Sequence, residues 1–248
     1  LSPTIKHIRL ELDRPMAFQA GQYINLHVPS IDSTRAFSIA NPPSMSGIID
    51  LHVRKVEGGA GTTWLHDELQ VGQSLDVSGP YGQFFVRKSD PQGAIFIAGG
   101  SGLSSPESMI MDLLEEGDTR PIYLFQGARN KAELYHADHF YQLAEKHDNF
   151  HYIPALNAPL PDDAWEGFVG FVHEAVGQFF EQRCSGNKAY LCGPPPMIEA
   201  AITTLMQGRL YERDIYAEKL LSSLNITTGI NQINVFDGGG FAVATTSR

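Results

Sequence analysis

Along the first third of the chain, apolar and polar residues alternate in short runs. Ile8, Leu10 and Leu12 are separated by charged residues, Ile24, Leu26 and Val28 by polar ones, and Ile49, Leu51 and Val53 repeat the pattern. A period of two puts alternate side chains on opposite faces, so each run predicts a half-buried β-strand. Leu75 and Val77 add a fourth short run. Turn residues interrupt the pattern at Ala20-Gly21, Asn41-Pro42-Pro43, Gly58-Gly59 and Gly79-Pro80. Short strands at this spacing predict a small antiparallel barrel or sandwich over residues 1–90.

Near Asp90-Pro91 the texture changes. Ala94-Ile95-Phe96-Ile97-Ala98 is continuously apolar, as in a strand covered on both faces of a parallel sheet. Helical patterning follows over 105–116, closed by Gly117-Asp118. Further strands are predicted at 122–125, 150–153 and 189–191, with helices over 132–146, 174–183 and 195–206. Strands alternating with helices predict a doubly wound α/β domain over 91–219. The remainder, 220–248, is polar and rich in Asn, Thr and Gly. Residues 226–235 keep some strand character, Asp237-Gly238-Gly239-Gly240 reads as a flexible turn, and no chemistry is apparent there.

Composition narrows the function. With 248 residues and 42% hydrophobic content the chain has material for two cores. Eighteen basic against 28 acidic residues leave a net charge of −10, which argues against nucleic-acid binding and against docking on an anionic membrane. No apolar run approaches the ~20 residues of a membrane span, and no signal peptide opens the sequence. The two cysteines, Cys184 and Cys192, form neither a C-x-x-C pair nor a disulfide framework. A reducing, cytoplasmic setting is expected. Two thiols also fall short of the roughly four ligands that an iron–sulfur cluster needs.

Three segments carry candidate chemistry. Gly99-Gly100-Ser101-Gly102 follows a predicted strand and precedes a predicted helix, where glycines let backbone N–H groups approach a pyrophosphate; a plain βα turn is the other reading. Ser105 stands at the third glycine position of G-x-G-x-x-G, and Leu103 excludes a G-x-S-x-G nucleophile elbow. In Leu191-Cys192-Gly193-Pro194-Pro195-Pro196-Met197 a strand ends at a thiol and a proline opens the next helix. Strand C-termini of doubly wound sheets are where ligands bind, and two such turns together favour a nucleotide site. Arg35-Ala36-Phe37-Ser38 offers a phosphate-pairing guanidinium, a ring that stacks and a hydroxyl, although composition alone reads it as an ordinary strand. There Ser38 points away from Arg35 and Phe37, so its backbone N–H or a bend is expected to make its contact. Gly58-Gly59-Ala60-Gly61-Thr62 is either a phosphate-facing loop or a hairpin tip. His136 and His139, three apart on a predicted helix with no carboxylate spaced to join them, read as a solvated face, and no metal site is expected.

In this order the motifs resemble the ferredoxin–NADP reductase superfamily, and within it the reductase components of multicomponent phenol hydroxylases. The segments that carry the resemblance are Leu1–Lys6, Thr34–Pro43, Ser78–Val86, Ile95–Pro106, Leu124–Asn130 and Ala189–Asp214. It implies a Greek-key flavin barrel followed by an NADH-binding α/β domain, with FAD and NADH as cofactors. Arg35 would meet the flavin pyrophosphate, Phe37 its ring and Ser38 its N5. Gly59 and Thr62 match a second pyrophosphate segment that favours FAD over FMN, and Ala36, His52, Val53 and Arg54 complete the implied flavin set. Gly100, Ser101 and Gly102 would face the nicotinamide nucleotide, Gln126, Gly127 and Arg129 its ribose or phosphate side, and Cys192, Gly193 and Pro194 the nicotinamide. Ser38, Cys192 and Glu218 are the implied catalytic residues.

Relatives usually carry Tyr at Phe37 and an aromatic at Leu220. They also carry a plant-type [2Fe–2S] domain and a first barrel strand ahead of the position of Leu1. The resemblance therefore implies an iron–sulfur domain or ferredoxin, and an oxygenase component, as partners. A stand-alone flavin or cytochrome reductase and a non-catalytic flavin-binding module are the alternatives.

Overall fold

The computed structural model describes residues 1–220 and the backbone of 234–236. Five strands come first: β1 (Ile5–Glu11), β2 (Tyr23–Val28), β3 (Ser33–Ser38), β4 (Ile48–Arg54) and β5 (Val77–Tyr81). They form two antiparallel sheets, β1–β4 and β3–β2–β5, rather than one continuously bonded barrel. The sheets meet where β3 runs on into Ala40, whose N–H donates to Asp50 O at 2.9 Å. The alternating residues of the sequence pattern converge between them: Ile8, Ile24, Leu26, Val28, Ile49, Leu51 and Val53 share one core with Phe18, Ile39 and Leu65. Between β4 and β5 lies the helix α1 (Ala60–Asp67).

The second half is a six-stranded parallel sheet in the order β11–β10–β6–β7–β8–β9, extended at one edge by antiparallel β12. Its strands are β6 (Gly93–Gly99), β7 (Ile122–Ala128), β8 (Phe150–Leu156), β9 (Phe168–Val169), β10 (Asn187–Gly193), β11 (Ile215–Lys219) and β12 (Asn234–Phe236). Helices α2 (Ser104–Glu115), α3 (Ala137–Lys146), α4 (Val172–Phe179) and α5 (Pro195–Gln207) complete it. Along β6 the side chains divide by parity. Ala94, Phe96 and Ala98 join one core, and Ile95 and Ile97 the other. The first of these cores also takes Ala20, Phe84 and Val86 from the antiparallel part, so apolar packing is continuous across the seam.

Two helices depart from the sequence pattern. The predicted helix at 132 begins only at Ala137, because His136 adopts a left-handed φ of 60° and Tyr135 is buried. The Tyr135 carbonyl is held by the Gln126 amide at 3.0 Å and its hydroxyl donates to Gly100 O at 3.0 Å; a continuing helix would break both. The helix ending at Phe179 stops four residues early, since Glu181 and Gln182 are also left-handed. The turn expected at Asp237–Gly240 lies outside the described residues, as does the expected strand character of 226–235 apart from its last two positions, which belong to β12. Among the described residues no helix is long and apolar enough to cross a membrane.

Candidate functional site at the sheet's switch point

From β6 the chain winds through β7, β8 and β9 on one side, then returns to place β10 on the other side of β6. The strand order therefore reverses between β6 and β10, and in open α/β sheets ligands bind outside the strand ends at such a point. These loops are Gly99–Gly102 and Cys192–Pro194. They touch through backbone: a Cβ on Gly102 would lie 2.4 Å from Cys192 O and 2.8 Å from Gly193 Cα. Gly100 adopts a left-handed φ of 58°, which glycine takes without strain.

Under this contact lies a polar pocket. Cys192 and Glu218 are register partners on β10 and β11, each 1% exposed. The Cys192 thiol donates to Glu218 Oε2 at 3.5 Å, and Ser105 Oγ donates to the same oxygen at 3.3 Å. Ser38, at the end of β3, lies beside the same carboxyl. Burial pushes the Glu218 carboxyl up to about 7; the contacts from Cys192, Ser105 and Ser38 pull the other way without cancelling it. The Cys192 thiol is raised well above its ordinary value by burial and by Glu218. It is thus a neutral thiol rather than a nucleophilic thiolate.

The structure brings together Ser38, Cys192 and Glu218, residues from the ends of three strands. Ser38 does so with its hydroxyl rather than only its backbone. Alternation turns it away from Phe37, which packs on the barrel core, and the face it occupies is the one toward the α/β sheet. Arg35 donates to Ser33 Oγ at 2.9 Å and Thr34 O at 2.8 Å, and its stem runs near Gly61 in the first turn of α1. Thr62 closes that turn: its hydroxyl donates to Gly59 O and accepts from Val56 N, both at 3.1 Å. The first N–H groups of α1 lack intrahelical partners by construction, so Arg35 and α1 present donors side by side. Ala36 and Val53 lie on β3 and β4, and Val53 O accepts a hydrogen bond from His66 Nε2 at 2.8 Å.

On the other side of the glycine loop a cavity of about 240 Å³ is lined by Gly99, Gly100, Gly127, Arg129, Pro194 and Phe171, among others. Arg54 reaches it from β4. A Cβ on Gly100 would stand 2.8 Å from the Arg54 guanidinium, and Arg54 Nε is buried with no hydrogen-bond partner. An unpaired buried guanidinium N–H at a glycine turn fits an anionic ligand. Gln126 is different. Its side chain is 2% exposed and spent internally, donating to Tyr135 O and accepting from Tyr152 Oη at 2.6 Å, so it holds the wall rather than facing the cavity.

Sequence reasoning did not single out Ser105 as a site residue, or Tyr135, His52's neighbour at the seam. Ser105 was visible as the departure from the third glycine; nothing local marked Tyr135.

Comparison with known proteins agrees with this architecture. Residues 1–86 match the oxidoreductase FAD-binding domain family and residues 96–203 the oxidoreductase NAD-binding domain family. The phenol hydroxylase P5 protein of Acinetobacter pittii (strain PHEA-2) is 66% identical over 236 residues, which are 95% of this chain and 67% of that protein. The chain belongs to the ferredoxin–NADP reductase superfamily. The phenol 2-monooxygenase reductase component DmpP of Pseudomonas sp. (strain CF600) is 64% identical over 90% of this chain and 63% of its own length. The crystal structure of the Amycolatopsis cytochrome P450 reductase GcoB superposes with a TM-score of 0.80 at 33% identity, covering 88% of this chain and 66% of that one. This chain spans about two thirds of the length of the curated relatives it matches. It is a flavin- and nicotinamide-binding oxidoreductase.

Proposed function

We propose that this chain accepts hydride from NADH onto FAD and passes the electrons to a [2Fe–2S] centre, in an attached domain or a separate ferredoxin, that serves a phenol-type aromatic monooxygenase. The observation that carries this reading is the convergence of Ser38, Ser105, Cys192 and Glu218 beneath the switch-point loops. Relatives named as phenol hydroxylase and aromatic O-demethylase reductases support the electron acceptor and the oxygenase partner.

Bound FAD supplies acceptance of two electrons from NADH and their release one at a time. The residues of the chain do the rest. Arg35, Ala36, Phe37 and Ser38 with His52, Val53 and Arg54 form the flavin strip, and Gly59 and Thr62 set the first turn of α1 toward its pyrophosphate. Gly100, Ser101 and Gly102 hold the nicotinamide nucleotide with Gly127 and Arg129, and Cys192, Gly193 and Pro194 line the nicotinamide end. Glu218 holds a proton on its carboxyl near neutral pH, and Ser38 Oγ connects that proton to the flavin side. Near-complete burial of Cys192 and Glu218 keeps water from the contact. NADH rather than NADPH follows from the family resemblance; Arg129 and Lys131 after β7 are basic and Glu133 beside them is acidic.

Adding NADH anaerobically to FAD-loaded protein should bleach the visible flavin band. A protein that takes up no FAD would sink the reading, and a yellow protein that NADH does not bleach would leave only a flavin-binding module. Faster reduction of cytochrome c than of a [2Fe–2S] ferredoxin would point to a stand-alone reductase.

A further inference from the structure

A second cluster lies at the seam, and of its three residues the flavin and nicotinamide assignments name only His52, as part of the β4 strip. His52 projects from β4, Glu107 from α2 and His136 from the start of α3. Their ligand atoms all lie within 4.8 Å of one another. His136 Nδ1 stands 3.0 Å from both Glu107 oxygens, and His52 Nδ1 is 4.0 Å from Glu107 Oε2. Two donors bound tetrahedrally to one ion at zinc distances sit about 3.4 Å apart, a value that these two separations bracket. Small side-chain rotations would satisfy it.

We propose that His52, Glu107 and His136 form a binding site for a divalent transition-metal ion, Zn2+ by donor set, that bridges the antiparallel part to the α/β sheet. Two imidazoles and one carboxylate are a common zinc set that leaves a fourth position open, and here that position faces a cavity of about 400 Å³. Its wall mixes the polar His7, Asp50 and His139 with the apolar Met45 and Met111. Tyr135 Oη lies 3.2 Å from the same His52 nitrogen, and that contact would give way to the ion while Tyr135 keeps its bond to Gly100 O. The spacing of His136 and His139 alone offers no carboxylate; only the fold delivers Glu107, 29 residues away, and His52, 84 residues away.

The test is calorimetric titration of Zn2+ into chelator-treated full chain, with Co2+ spectra to report a four-coordinate site. One Zn2+ per chain with a Kd of about 1 µM or tighter is expected. Glu107→Gln keeps the shape, and His136→Asn suits a left-handed backbone; each should raise Kd at least ~10-fold. His139→Ala should change it less than ~3-fold. Zn2+ should raise the thermal midpoint of the parent and not of the two variants, whose folding is checked by their circular dichroism. No saturable binding, or binding that survives both substitutions unchanged, would overturn the proposal.

Discussion

Two polar clusters sit on either side of the Gly100–Leu103 turn, and each contains a buried carboxylate. Glu218 is surrounded by Cys192, Ser105 and Ser38, none of them cationic, and its carboxyl is pushed up to about 7. Glu107 has the His136 ring at 3.0 Å and opens to a cavity. The same residue type is thus set to two tasks by its neighbours. Without a counter-charge, burial favours the proton; with an imidazole beside it, the carboxylate is positioned to pair or ligate.

The turn between the clusters is the sharpest place to break this arrangement. Gly102→Ala would drive a Cβ into the Cys192 backbone, which cannot yield, and should cost about 3 kcal/mol in urea unfolding. Gly100→Ala meets only the end of Arg54 and should cost nearer 1 kcal/mol, mostly from its left-handed backbone. Equal losses would refute the view that the acid-pocket side is the rigid one. Next in size, Glu218→Gln should slow anaerobic flavin reduction by NADH about 100-fold and flatten its pH profile around 7.

Stability should respond to the same substitution with a defined sign. Glu218 holds its proton to about pH 7 when folded, against an ordinary value of 4.5. Between those values the native state binds more protons than the unfolded one, so the group's contribution to stability falls as pH rises. Glu218→Gln should remove that slope and be relatively more stable at pH 8 than at pH 5; an unchanged slope in urea titrations would exclude a neutral Glu218. Arg54→Lys should weaken FAD binding about 10-fold, since a compact ammonium does not replace the guanidinium fork. Smallest of all, Glu107→Gln in chelator should cost under ~1 kcal/mol, which thermal unfolding would check.

The sequence made the elements legible where period and burial coincide. Ile95 and Ile97 against Phe96 and Ala98 announced a strand covered on both faces, and the two loops at strand ends marked the switch point before any topology was known. What local pattern could not carry was parity across the seam and pairing at long range. Ser38 looked misplaced beside Phe37 because the sequence does not say which face of β3 meets the second sheet. The strand Ile215–Lys219 had no continuous apolar run, so its role as partner of β10, and hence the meeting of Glu218 with Cys192, waited for the fold. His136 looked like a solvated helix residue because its partners come from elements far away in the chain.

The pairing of β10 with β11 also sets an order on the ribosome. Ser38 and Ser105 are made before Cys192, and Glu218 lies on the last parallel strand among the described residues. Domains emerge and fold from the N-terminal end during synthesis, yet this pocket has one wall missing until β11 joins the sheet. A nascent chain therefore has its glycine loop and its flavin strip long before it has the acid between them.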